Sequence, residues 1–168
     1  MAEVANYSWL SWVHIASALL SMCTGVIVLF RRKGDRGHVR LGYIYLIGML
    51  IMNGSAFGLY RLFGTFGPFH GAALVSLLTL AAGMRAVLRS PRQKGWLVQH
   101  FTFMYWSVIG LYAAFFSEVM VRLPLGAAFG WSVGLATGGV VLFGALAQSR
   151  LTARWSRLEE AHMERKGS

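Results

Sequence analysis

Five stretches of the chain, 8–30, 40–62, 67–88, 99–121 and 125–148, are each nearly continuous in apolar residues. A segment of about 20 apolar residues is what a helix needs to cross a hydrocarbon core of about 30 Å. No stretch alternates apolar and polar residues with a period of two, so helices are expected and barrel strands are not. The rest of the composition agrees. Charged residues are 13% of the chain and apolar residues 56%, whereas a water-soluble domain carries roughly 25% charge. Such a chain cannot cover a water-facing surface. The expected fold is an all-α integral membrane protein, a single transmembrane domain of five spans followed by a basic tail over 149–168. Short connections make neighbouring spans antiparallel, with four helices forming a core bundle and the fifth added to it.

The formal net charge of +10 resembles a nucleic-acid signal until the cations are placed. Arg31, Arg32, Lys33, Arg36 and Arg40 lie in the first loop, and Arg85, Arg89, Arg92 and Lys94 in the third. Arg150, Arg154, Arg157, Arg165 and Lys166 lie in the tail, and antiparallel threading puts all of these on one side. Arg61 and Arg122 alone fall on the other. The positive-inside rule makes the cation-rich side cytoplasmic, so the N-terminus is expected outside and the C-terminus inside. The charge is then topological, no nucleic-acid partner is implied, and the expected partner is the bilayer. The expected location is a bacterial cytoplasmic (inner) membrane. The tail, with Arg150, Leu151, Arg154, Trp155 and Leu158, reads either as a helix on an anionic leaflet or as a solvated end of span five. Cys23 is the single cysteine; with Met22 it reads as a packing residue.

Gly126, Gly130, Gly134 and Gly138 recur every four residues in span five, and Gly54 and Gly58 form a shorter version in span two. Such strips allow close helix approach, within the chain or across a homodimer.

Four of the five histidines fall one to a helix; His162 is in the tail. His14 and His70 belong to spans one and three and share the outer half of the membrane. His38 and His100 belong to spans two and four at the inner boundary. In an up-down bundle these spans are diagonal partners. A gap between diagonal helices is too wide for one metal ion held at about 2.0–2.1 Å, but a macrocycle with axial histidines fills it. The pattern suggests one or two b-type haems, held by His14 with His70 and by His38 with His100. Electrons would pass from face to face, with quinone in the bilayer as a candidate redox partner. Any enzymatic activity would be that of a b-type cytochrome oxidoreductase. Glu118, the one carboxylate inside a span, reads as a proton or substrate group, or as a plain ion pair with Arg122 one turn away. Asn53, Arg61 and Arg122 are candidates for the same outer polar site. Two alternatives stay open: zinc or copper binding or transport through His14, His70 and Glu118, and a non-catalytic assembly subunit.

The segment Lys33-Gly34-Asp35-Arg36-Gly37-His38-Val39-Arg40-Leu41-Gly42-Tyr43-Ile44-Tyr45 resembles the start of the second helix in a bacterial family of uncharacterised membrane proteins, domain of unknown function 2306. There a glycine and a basic residue precede a histidine, and Gly-x-x-Tyr follows. The resemblance extends through His14, His70 and His100. The chain is also similar in layout to cytochrome b561-type proteins, whose four core helices each give one histidine to two haems. That likeness implies His14 and His70 on an outer haem and His38 and His100 on an inner one. It also implies electron transfer linked to quinone, ascorbate, ferric iron or superoxide. His38 and His100 lie shallower than such a layout requires, and the extra helix here is C-terminal.

Overall fold

The computed structural model describes residues 8–59, 64–89, 94–123 and 129–167, with side chains described as far as 160. It is all-helical over these residues: α1 (Trp9–Phe30), α2 (Arg36–Ala56), α3 (Pro68–Leu88), α4 (Trp96–Arg122) and α5 (Phe129–Gly167). All five helices are long and apolar enough to cross a membrane. The shortest have 21 residues, about 32 Å at about 1.5 Å per residue. The chain divides into two compact units, Met1–Leu78 and Thr79–Ser168.

The first unit holds α1, α2 and the start of α3. Its α1 is built inside out relative to a soluble helix. The buried residues are Ser11, Ser17, Ser21, Thr24 and Gly25, while Trp9, Trp12, Leu19, Leu20, Ile27 and Phe30 are exposed. Lipid as solvent explains this. Hydrocarbon gives large apolar side chains no reason to bury, so helices associate through small residues that let backbones approach. The approach is close at Gly48, where a Cβ would sit 2.5 Å from Ser21 Oγ. Gly58 meets Leu10 in the same seam, and His14 meets Met52. Residue numbers rise on α1 as they fall on α2, so the pair is antiparallel. Ser17 and Thr24 return their hydroxyls to carbonyls one turn earlier, so these two donors are not orphaned in the seam.

The turn between α1 and α2 follows from its sequence. Lys33 Nζ donates to the carbonyls of Val28 and Leu29, both at 2.7 Å, and so closes the C-terminus of α1. Gly34 adopts φ +82°, a conformation that costs other L-residues. Asp35 then caps α2 by accepting from the His38 main-chain N–H. This cap starts the second helix at Arg36, four residues before the expected span, and the helix ends at Ala56 rather than near 62.

The second unit holds the end of α3, α4 and α5, and its last two helices form an antiparallel pair tied by polar contacts. Ser117 Oγ meets Thr137 Oγ1 at 2.8 Å. Tyr105 donates to the Gly144 carbonyl at 2.7 Å, and Trp106 Nε1 donates to Gln148 Oε1 at 2.7 Å. A Cβ at Gly144 would meet Ile109 Cγ2 at 2.8 Å. The tail is the end of α5, mostly exposed as the second reading expects, except for one buried stripe. Residues 149–167 continue α5, a helix of 39 residues. Trp155 is buried against Phe101 and Tyr105. The buried Glu159 carboxylate accepts from the Gly95 and Val98 main-chain N–H groups at 2.6 and 3.4 Å. Those N–H groups open α4, where the helix dipole favours an anion. The basic residues Arg150, Arg154 and Arg157 stay exposed on the other faces.

The glycine strip of α5 is not a seam within its unit. Gly130, Gly134 and Gly138 are exposed with nothing within 4 Å of an added Cβ, and Gly126 lies outside the described residues. Gly54 is equally open. Cys23 is exposed and is not a packing residue.

Candidate functional site

His14 sits on the α2-facing side of α1, half-buried. Its Nδ1 lies 3.0 Å from the Met52 carbonyl oxygen and 3.1 Å from Ser55 Oγ. A carbonyl can only accept, so Nδ1 carries a proton, and the tautomer this selects has its lone pair on Nε2. Ser55 completes the set by donating to the same Met52 carbonyl at 2.8 Å.

His100, in the second unit, repeats the arrangement. Its Nδ1 donates to the Gly83 carbonyl on α3 at 2.9 Å. Glycine permits this approach, since a Cβ at position 83 would lie 3.0 Å from Met104 Sδ. Nε2 again holds the lone pair. A main-chain carbonyl on Nδ1–H is the contact that fixes ring orientation and tautomer in histidines that bind through Nε2.

His70 is different. It is 4% exposed, stacks on Phe66 at 4.9 Å between centroids and lies 6.3 Å from the ring of Phe57. Its Nδ1 accepts from the Gly67 main-chain N–H at 3.0 Å. A main-chain N–H can only donate, so the neutral ring carries its proton on Nε2. Gly67 precedes Pro68, the first residue of α3. His70 therefore reaches back across the first turn as the third residue of a capping box does.

His38 lies in the first turn of α2, half-buried, with its main-chain N–H held by Asp35. That bond, followed by the Arg31 guanidinium in an exposed ion pair at 3.3 Å, holds the Asp35 carboxyl below its ordinary 3.8. The side chain of His162 lies outside the described residues.

The remaining candidates have structural partners. Glu118 Oε1 meets Arg122 Nη2 at 2.6 Å, and Arg122 also donates to the Glu118 carbonyl, so the ion-pair reading describes both. Asn53 is buried and donates to the Met49 carbonyl at 2.8 Å and to Ser76 Oγ at 3.1 Å, tying α2 to α3. Arg61 lies outside the described residues. Among the described residues, no three His, Cys, Asp or Glu side chains gather as a metal ion would require.

The helices and their polar seams thus belong to a protein built for lipid. Residues 11–153 match the family model described as Predicted membrane protein (DUF2306). The chain belongs to this family. The match runs through α1 to α4 and most of α5, and it includes the capped turn at Asp35 and all four intraspan histidines. No curated protein and no solved structure matches the chain.

The main-chain partners were what sequence reasoning missed. Depth along the helices placed the histidines, but Met52, Gly83 and Gly67 act through backbone atoms, which no residue type announces. The one available signal was the Gly67-Pro68-Phe69-His70 run, in which a polar side chain stands three residues after a helix-starting glycine.

Proposed function

We propose that this membrane protein carries b-type haem on histidines and transfers electrons within the bilayer. The supporting observation is the shared state of His14 and His100, whose Nδ1–H groups are held by main-chain carbonyls, leaving Nε2 as the nitrogen with a lone pair. A histidine that would hold haem iron needs that tautomer, and the second bond would raise its basicity. The donor set therefore fits the group at these two positions, one in each unit. Haem held there would supply one-electron chemistry between ferric and ferrous iron.

The chain's own contribution is orientation and insulation. Met52 and Ser55 hold the His14 ring, and Gly83 holds that of His100. The outward Leu, Ile, Phe and Trp side chains of α1 keep water from the span. His70, in the same unit as His14, enters as its second ligand by the depth pairing. His70 fits only once its Nδ1 has let go of the Gly67 N–H, because a ligating Nε2 cannot carry a proton.

Substitution tests the reading through haem content per chain. His14→Ala and His100→Ala should each remove one haem when two are bound, with the helices retained by circular dichroism. Unchanged haem in both would overturn it. His70→Gln separates capping from ligation, since glutamine still accepts from the Gly67 N–H. It should fold as wild type and lose the haem that His14 holds. Retained haem would take His70 out of the ligand set. The zinc or copper reading draws no support from Glu118, whose carboxylate is engaged by Arg122.

A further inference from the structure

A cavity of about 270 Å³ opens where α3 ends and α4 begins, within the second unit, lined by Ala82, Arg85, Ala86, Arg89, Trp96 and Gln99. Arg85 and Arg89 are one turn apart on α3; the Arg89 N–H still bonds the Arg85 carbonyl at 3.1 Å, so the helical geometry runs to the rim. Like charges at this spacing repel. A carboxylate would normally relieve them, yet among the described residues none lines the cavity. The ion pairs among the described residues are Arg31–Asp35 and Arg122–Glu118, and Glu159 is engaged at the start of α4. The dipole at the C-terminus of α3 favours cations there, but it does not account for a cavity with two guanidiniums on its wall. That wall is rich in donors and short of acceptors, with Gln99 beside the two arginines. Its other lining residues are Ala82, Ala86 and the buried indole of Trp96.

The geometry points to a binding site for the phosphodiester headgroup of an anionic phospholipid, with Arg85 and Arg89 on the phosphate and the alanines and Trp96 against the glycerol and first methylenes. Three features select this ligand. Guanidiniums match phosphate oxygens in pairs. The site lies at helix ends, where the headgroup layer meets a membrane-spanning helix. Ala82, Ala86 and the Trp96 indole add a smaller apolar part to a mostly polar wall, which suits an amphiphile better than a free anion. The volume accommodates a headgroup and leaves the acyl chains outside, in the bilayer. The inference is independent of haem.

Native mass spectrometry of the full chain in detergent micelles tests it, with phosphatidylglycerol, phosphatidylcholine and inorganic phosphate as probes. Phosphatidylglycerol should bind in preference to phosphatidylcholine. Arg85→Gln and Arg89→Gln should each weaken it about fivefold, and the double variant about 30-fold. Arg154→Gln, on the exposed face of α5, should leave it unchanged and serves as the control for general surface charge. Each single variant keeps one guanidinium, so a double variant that fails to fold leaves a readable result. Equal binding of both lipids, or single variants that bind as wild type, would overturn the site. Inorganic phosphate that binds alone and displaces phosphatidylglycerol would overturn the lipid assignment.

Discussion

At the scale of single residues, the chemistry turns on which ring nitrogen carries a proton. The three intraspan rings with resolved Nδ1 contacts divide cleanly: His14 and His100 donate to carbonyls, and His70 accepts from an N–H. The capping role of His70 predicts a graded response. His70→Leu orphans the Gly67 N–H and should lower stability by about 1–2 kcal/mol, whereas His70→Gln should stay near wild type. Thermal unfolding in micelles reads the difference. Asp35 gives a second prediction. Its carboxyl is held down by the His38 N–H and by Arg31, so its contribution to folding is complete above the ordinary carboxylate range. That contribution is lost as pH falls through the depressed folded value, below about 4. Asp35→Asn still caps α2 and should flatten the acid side of the stability profile. An acid limb identical to wild type would remove Asp35 as its source. The histidines were legible by position because an ionisable residue in a membrane span is rare enough to stand out. Their tautomers were not, because the deciding partners are backbone atoms.

At the scale of helices, small residues decide the packing. Gly48 faces Ser21 with no room for a side chain, while Gly134 faces outward. Gly48→Leu should therefore cost about 1–3 kcal/mol, and Gly134→Leu should be neutral to within about 0.5 kcal/mol. Unfolding of the two variants side by side checks this, and a reversed order would contradict the assigned seam. In the sequence, four glycines at regular spacing mark a helix face suited to close approach. Periodicity, however, identifies a face and not what lies against it. The extension of α5 carries the converse lesson. Its arginines suggest a surface tail, yet Trp155 and Glu159, one turn apart, form a narrow buried stripe against α4. Only the acceptor-seeking N-terminus of α4 gives that stripe its meaning. Glu159→Ala should destabilise by about 1–2 kcal/mol and expose the start of α4 to hydrogen exchange, with protection at Gly95 and Val98 falling first.

At the scale of the whole molecule, the bilayer as solvent accounts for most of what was legible. Five long apolar runs translate directly into five helices, because every backbone group in lipid must be satisfied within its own segment. Helix ends were less legible. Hydropathy does not see Asp35 capping α2, nor Glu159 holding a cytoplasm-like charged segment in helical register. The distribution of Lys and Arg predicts a cytoplasmic C-terminus, and a reporter fused after Ser168 should be active only on that side. The central functional claim is tested most directly by the reduced-minus-oxidised absorption spectrum of the full chain, purified in detergent after expression with ample haem. A red preparation with the sharp reduced band of haem ligated by two histidines is expected. A well-folded, colourless protein with no such band would contradict it.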